Sequence, residues 1–175
     1  QDVTDSSSYY EAVCYVTEKG LMNGTSASTF SPDAAMTRAM MVTILWRMEK
    51  EPAALKSNFT DLTADWYRTA VDWAAETGVV NGVGNGKFAP NATLSLEQLI
   101  TILYRYAENK GYNVSKSASL DSFTDGSAVS AYARPAMQWA VGMNFLSGNT
   151  LTPGAPASRA QIAQVLMLFC KAYIK

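Results

Sequence analysis

Apolar side chains recur at i, i+3, i+4 and i+7 in three places along the chain: Met41, Ile44, Leu45 and Met48; Leu99, Ile102, Leu103 and Tyr106; Ile162, Val165, Leu166 and Phe169. That spacing is the buried stripe of an amphipathic helix. It predicts helices over Thr37–Lys50, Ser95–Lys110 and Ser158–Tyr173. Methionines and aromatics in such stripes are read as core. A second helix is predicted before each of these, over Tyr9–Lys19, Trp66–Thr77 and Tyr132–Met143. Gly20 and Gly78 end the first two, as left-handed C-caps do, and Asn144 holds that place in the third. Between the two helices lies a glycine-bearing loop, Asn23 to Pro32, Asn81 to Pro90 and Ser147 to Pro153, irregular or carrying a short strand pair.

The pattern is one unit written three times. Ala12, Tyr15, Gly20, Asn23-Gly24, Phe30, Pro32, Thr37 and Arg47 fall on Ala70, Trp73, Gly78, Asn81-Gly82, Phe88, Pro90, Ser95 and Arg105 at a constant offset of 58. Ala70, Trp73 and Gly82 fall on Ala136, Trp139 and Gly148 at 66; beyond Pro90 the offset is 63, so the third loop is three residues shorter. Each unit opens on an acidic segment: Asp2-Val3, Phe59-Thr60-Asp61-Leu62 and Phe123-Thr124-Asp125. The first copy reads as cut just before its phenylalanine. The repeats span 1–52, 59–111 and 123–175, with linkers at 53–58 and 112–122. A two-helix unit of this size cannot bury both faces alone, whereas three can share a core. The expected fold is mainly α, with three helix-loop-helix repeats packed as one pseudo-threefold, three-pronged domain.

Composition narrows the chemistry. The 175 residues include no histidine, 14 basic and 15 acidic side chains, for a net charge of −1, and 48% apolar residues. Without histidine there is no Ser-His-Asp triad, no Cys-His pair and no His-ligated metal. The missing basic excess argues against nucleic acid. Two cysteines cannot build a four-cysteine zinc site; Cys14 and Cys170, at non-equivalent positions, are read as two separate thiols. The acids do not form the Gly-punctuated loop of an EF-hand, so neither metal nor cofactor is expected. No run approaches the 18 apolar residues of a membrane span. No basic-then-apolar leader begins the chain, as in the mature or excised part of an exported protein. No unique pair of carboxylates stands out for a glycosidase.

Candidate chemistry gathers at the start of the later helix of each unit. Thr37, Ser95 and Ser158 are N-caps, with capping boxes to Gln98 and Gln161. With no base to activate them, these hydroxyls are not nucleophiles. The next residue is Arg38 in the first unit and Arg159 in the third. A cation in the first turn opposes the helix dipole, at about 0.3–1 kcal/mol when exposed. It therefore asks for an anion, either an internal acid such as Asp2, Asp61 or Asp125, or an external ligand held by the arginine fork and helix N–H groups. Leu96 of the second unit supplies no fork. Trp73 and Trp139 are read first as core packing, with sugar stacking the alternative, since an amphipathic ring suits both, and Trp66 is the more exposed candidate. Asn23 and Asn81, the latter followed by Gly82, either form turns or bond a ligand, and Lys87 is a further candidate cation.

Phe59-Thr60-Asp61, Trp66, Trp73-Ala74, Gly78-Val79-Val80-Asn81-Gly82, Phe88-Ala89-Pro90, Thr37-Arg38-Ala39 and Ser158-Arg159-Ala160 together resemble the S-layer homology (SLH) repeat over nearly the whole chain. The resemblance implies a three-pronged pseudo-trimer with ligand grooves between adjacent units and the signature arginine inside them. It also implies a non-enzymatic module of a larger exported protein, located outside the cell at the wall or S-layer of a Gram-positive bacterium. Its implied partner is an anionic secondary cell-wall polysaccharide carrying pyruvate ketals on N-acetylmannosamine. Neither nucleic acid nor membrane insertion is implied. The alternative is a protein-interaction or self-assembly module that has lost the polysaccharide. Leu96, and Met40, Gln98 and Gln161 in place of the signature glutamate, depart from the family pattern, so at most two grooves carry the cation.

Overall fold

The computed structural model describes residues 2–174. Six helices carry the fold: α1 (Tyr10–Glu18), α2 (Arg38–Met48), α3 (Asp65–Glu76), α4 (Leu96–Asn109), α5 (Arg134–Gly142) and α6 (Arg159–Tyr173), with one 3-10 turn at Gly126–Ala128. The mainly helical reading is borne out. Pro135 at the second position of α5 sets its start two residues later than the periodicity predicts, because proline fits a first turn and not a helix interior. Gly20, Gly78 and Asn144 all have positive φ, as expected of left-handed caps. The predicted strand pair reduces to an isolated Gly84–Lys87 bridge in the second loop. No described helix is long and apolar enough to cross a membrane.

Helix packing runs between units. The later helix of each repeat lies on the earlier helix of the next: α2 on α3, α4 on α5, and α6 back on α1. The stripes read from sequence make these contacts; only Met48 among the twelve residues is less than fully buried. The core therefore belongs to no single repeat.

The circuit is also closed through the backbone. Met36 N–H donates to Ala157 O (3.0 Å), Ala157 N–H to Leu94 O (2.9 Å), and Leu94 N–H to Met36 O (2.9 Å). The three residues occupy equivalent positions, one per repeat, and are fully buried. Short antiparallel bridges flank them at Ala35–Ser158, Thr37–Thr93 and Ser95–Pro156. Inside the core, buried amides must find partners; here each repeat supplies one to its neighbour in turn.

Candidate functional site

Each interhelix loop is built on an aspartate. Asp61 accepts from Phe88 N–H (2.9 Å) and Ala89 N–H (2.8 Å), Asp2 from Phe30 N–H (2.8 Å) and Ser31 N–H (2.6 Å), and Asp125 from Leu151 N–H (2.8 Å) and Thr152 N–H (2.7 Å). The second residue of each pair, Ser31, Ala89 and Thr152, has φ between 50° and 57°. That backbone is unfavourable for residues other than glycine, and the paired hydrogen bonds hold it. These bonds place all three carboxyls below the ordinary aspartate value of 3.8: those from Phe30 for Asp2 and Leu151 for Asp125 act foremost. At Asp61 burial is the largest influence and pushes upward, but the Phe88 and Ala89 amides with the Lys87 charge outweigh it. A group whose folded pKa is depressed stabilises the fold above its unfolded pKa, and the stabilisation is lost as pH falls through the folded value. The melting temperature should accordingly be flat at neutral pH and fall below about pH 4. In thermal melts Asp61→Asn should lower the plateau and flatten that acid limb; an unchanged profile would remove this role.

The signature arginines meet these loops from the preceding unit. Arg38 Nε donates to Phe88 O (2.9 Å) and its Nη2 to Asn81 O (2.9 Å). Arg159 Nε donates to Phe30 O (2.7 Å) and its Nη2 to Asn23 O (2.6 Å). Each guanidinium lies over the ring whose carbonyl it grips, 4.7 Å from the Phe88 centroid and 4.5 Å from that of Phe30, a favourable cation–π arrangement. Burial presses both arginine pKa values down, while Asp61 and Asp2, on the far side of the turn, oppose that. In the third loop Leu151 stands where the phenylalanines do and Leu96 where the arginine does. The Thr152 hydroxyl donates to Leu151 O (2.8 Å) in place of the missing fork.

The internal-acid alternative for the arginines does not describe this arrangement. No ion pair among the described residues involves Arg38 or Arg159; backbone carbonyls, which carry only partial charge, take two donors from each. The helix N–H groups are also engaged. The first two of each later helix donate to the neighbouring loop: Arg38 to Ala92 O and Ala39 to Pro90 O, Leu96 to Ala155 O and Glu97 to Pro153 O, Arg159 to Ala34 O and Ala160 to Pro32 O. The third goes to the cap hydroxyl of Thr37, Ser95 or Ser158. An anion at these places meets guanidinium edges, with no helix amides left to bind it.

Three equivalent grooves lie between units. Groove 1, about 380 Å³, brings together Arg159, Asn23, Met40, Thr43, Arg47 and Trp66. Groove 2, about 340 Å³, has Arg38, Asn81, Gly82, Gln98, Thr101, Arg105 and Tyr132. Groove 3, about 370 Å³, has Leu96, Ser147, Gln161, Gln164, Val165 and Leu168 at the matching places. Each wall thus draws on different repeats. Trp66 and Tyr132, both 54% exposed, stand at equivalent positions in the first two. Tyr132 is steadied there by Glu97, which accepts from its hydroxyl (3.2 Å) and from Ser130 N–H (2.9 Å) and Oγ (2.7 Å).

Several sequence candidates are corrected by these positions. Trp139, 1% exposed, is packed edge-on against Tyr104, Phe145 and Phe169, and its Nε1 faces the Tyr173 hydroxyl; Trp73 is likewise buried. Neither offers a face to a sugar, because each fills the core between helices. Lys87 lies outside the lining of groove 2, and its charge bears on Asp61 instead. Asn23 and Asn81 contribute main-chain oxygens to the arginines. Gly82 is required for packing, since a Cβ there would stand 2.6 Å from the Phe59 ring and 2.7 Å from Lys87 O. In the first repeat the space beside Gly24 and Phe30 is open, about 560 Å³. Cys14 and Cys170 are separate thiols. Sequence reasoning missed Arg47 and Arg105 as groove residues, although their repeat at one offset was visible.

The comparisons agree with this architecture. The S-layer homology domain profile matches residues 1–40, 58–100 and 122–163. An endoglucanase of Bacillus sp. strain KSM-635 is 31% identical over 94% of this chain, which spans 18% of that relative. The surface-layer 125 kDa protein of Lysinibacillus sphaericus is 30% identical over 89% of the chain and 13% of its own length. The cellulosome-anchoring protein of Acetivibrio thermocellus is 26% identical over 65% of the chain and 27% of its own length. With three matched repeats covering most of its residues, the chain belongs to the S-layer homology domain family.

Proposed function

We propose that the chain binds an anionic, pyruvylated secondary cell-wall polysaccharide in grooves 1 and 2 and so holds a larger exported protein to the wall without a covalent bond. The coarser part follows from the family: the chain is an extracellular surface-anchoring module associated with the wall or S-layer, non-enzymatic in itself. One observation carries the finer part. Grooves 1 and 2 each pair a guanidinium with an exposed aromatic ring, and no carboxylate lines either. A pyruvate ketal presents a carboxylate for the first and a sugar face for the second. The unit packing supports a pseudo-threefold module in which the ring of Met36, Leu94 and Ala157 marks the axis.

Trp66→Ala and Tyr132→Ala remove exposed rings and should leave the fold intact. Together they should lower the affinity of each groove for purified polysaccharide about fivefold, on stacking worth about 1 kcal/mol at each site. Retention equal to the unaltered chain would refute the stacking role. Groove 3, which carries neither arginine, favours a second reading, a self-assembly or protein-interaction module. Wall stripped of polysaccharide separates the two, since it should release the anchor and retain a protein-binding module.

A further inference from the structure

Groove 2 holds a second arginine, Arg105, and groove 1 holds Arg47 at the equivalent position. Each lies seven residues beyond the groove's first helical side chain, Gln98 or Met40, so the wall runs about 10 Å along the helix. Arg105 is exposed and has no ion pair among the described residues, and Arg47 has a 4.0 Å ion pair with Glu51, three residues past the end of its helix. The nearby carboxylates are engaged: Asp2 and Asp61 by loop amides, and Glu97 by Ser130 and Tyr132. A chain of net charge −1 thus places two guanidinium groups in each of two clefts, with the Arg47–Glu51 contact the one ion pair among the four in the described residues, where low-dielectric walls concentrate their field.

The third groove is an internal control. Leu96 replaces the signature arginine there, and Leu168 replaces the second one. The fold tolerates leucine at both places, so neither arginine position is dictated by helix packing alone. The two cations are present together or missing together.

We propose that Arg47 and Arg105 are specificity-determining residues that complete two-arginine receptors in grooves 1 and 2, so the chain takes two anionic sugars and groove 3 takes none. This rests on the polysaccharide-binding reading and adds the stoichiometry and the second contact. The signature arginine already spends two donors on loop carbonyls, which leaves the partner arginine as the freer fork for the ligand carboxylate.

Calorimetric titration of the full chain with a pyruvylated N-acetylmannosamine glycoside tests it, alongside the unpyruvylated glycoside. The unaltered chain should bind two equivalents of the first. Arg105→Leu should leave one site of ordinary affinity, and Arg47→Leu with Arg105→Leu should weaken both by at least tenfold, more at low salt than at high. Arg105→Lys should recover part of the loss. Both leucines copy the side chain that groove 3 carries at this position, and circular dichroism verifies folding. Two unweakened sites in the double variant, or equal weakening for the unpyruvylated glycoside, would overturn the inference. Failure of the unaltered chain to bind either glycoside would refute the reading beneath it, and the inference with it.

Discussion

Arg159→Ala should lower the free energy of unfolding by about 2–4 kcal/mol, because a buried acceptor deprived of its donor costs about 1–3 kcal/mol. Arg159 is 8% exposed, and its removal orphans Phe30 O and Asn23 O together. It also removes the cation from over the Phe30 ring. The relief of desolvating a guanidinium offsets part of the cost. Arg38→Ala should cost roughly half as much, since that side chain is half-buried and water from groove 2 reaches the carbonyls it leaves. Urea titration with a constant m-value measures both. Equal stability of both variants and the unaltered chain would remove the arginines from the fold's support. The expected ordering also governs how binding data are read, because lost affinity in Arg159→Ala mixes a missing contact with a loosened loop.

A chain lacking residues 1–52 should lose cooperative unfolding altogether. The deletion takes α1 from under α6 and α2 from α3. It also removes Met36 from the backbone ring, and Ala34 O and Pro32 O from the first turn of α6. A domain of this size has only about 5–15 kcal/mol of net stability, and the loss of a third of the core with these four backbone hydrogen bonds exceeds it. Near-ultraviolet circular dichroism through a thermal ramp decides. A sharp transition with native-like signal would mean that two repeats fold unaided.

The helices were legible because their stripes are strict. Met41, Ile44 and Leu45 and their counterparts face the core at one period, and Thr37, Ser95 and Ser158 are caps as read. The grooves were legible only in part. Sequence placed Arg38 and Arg159 on the first turn of their helices, but whether a fork meets an acid or a carbonyl depends on how a loop from another repeat folds over it. That loop turns on an aspartate 27 residues upstream of Phe88, and no local pattern conveys such a contact. Trp139 and Trp66 look alike as aromatics on the same type of helix; burial separates them, and burial is settled by which helix lies opposite. Arg47 and Arg105 were hidden for the opposite reason. An arginine late in an amphipathic helix reads as a solvated face until a neighbouring unit closes a wall across it.

The interlocked helices also determine what a protease could accomplish. Lys116 sits in the exposed segment between the second and third repeats. Cleavage there severs one peptide bond, while α4 still grips α5, α6 still grips α1, and Met36, Leu94 and Ala157 still hold one another. The two pieces remain docked as a noncovalent complex, so a nicked molecule keeps its shape and its clefts.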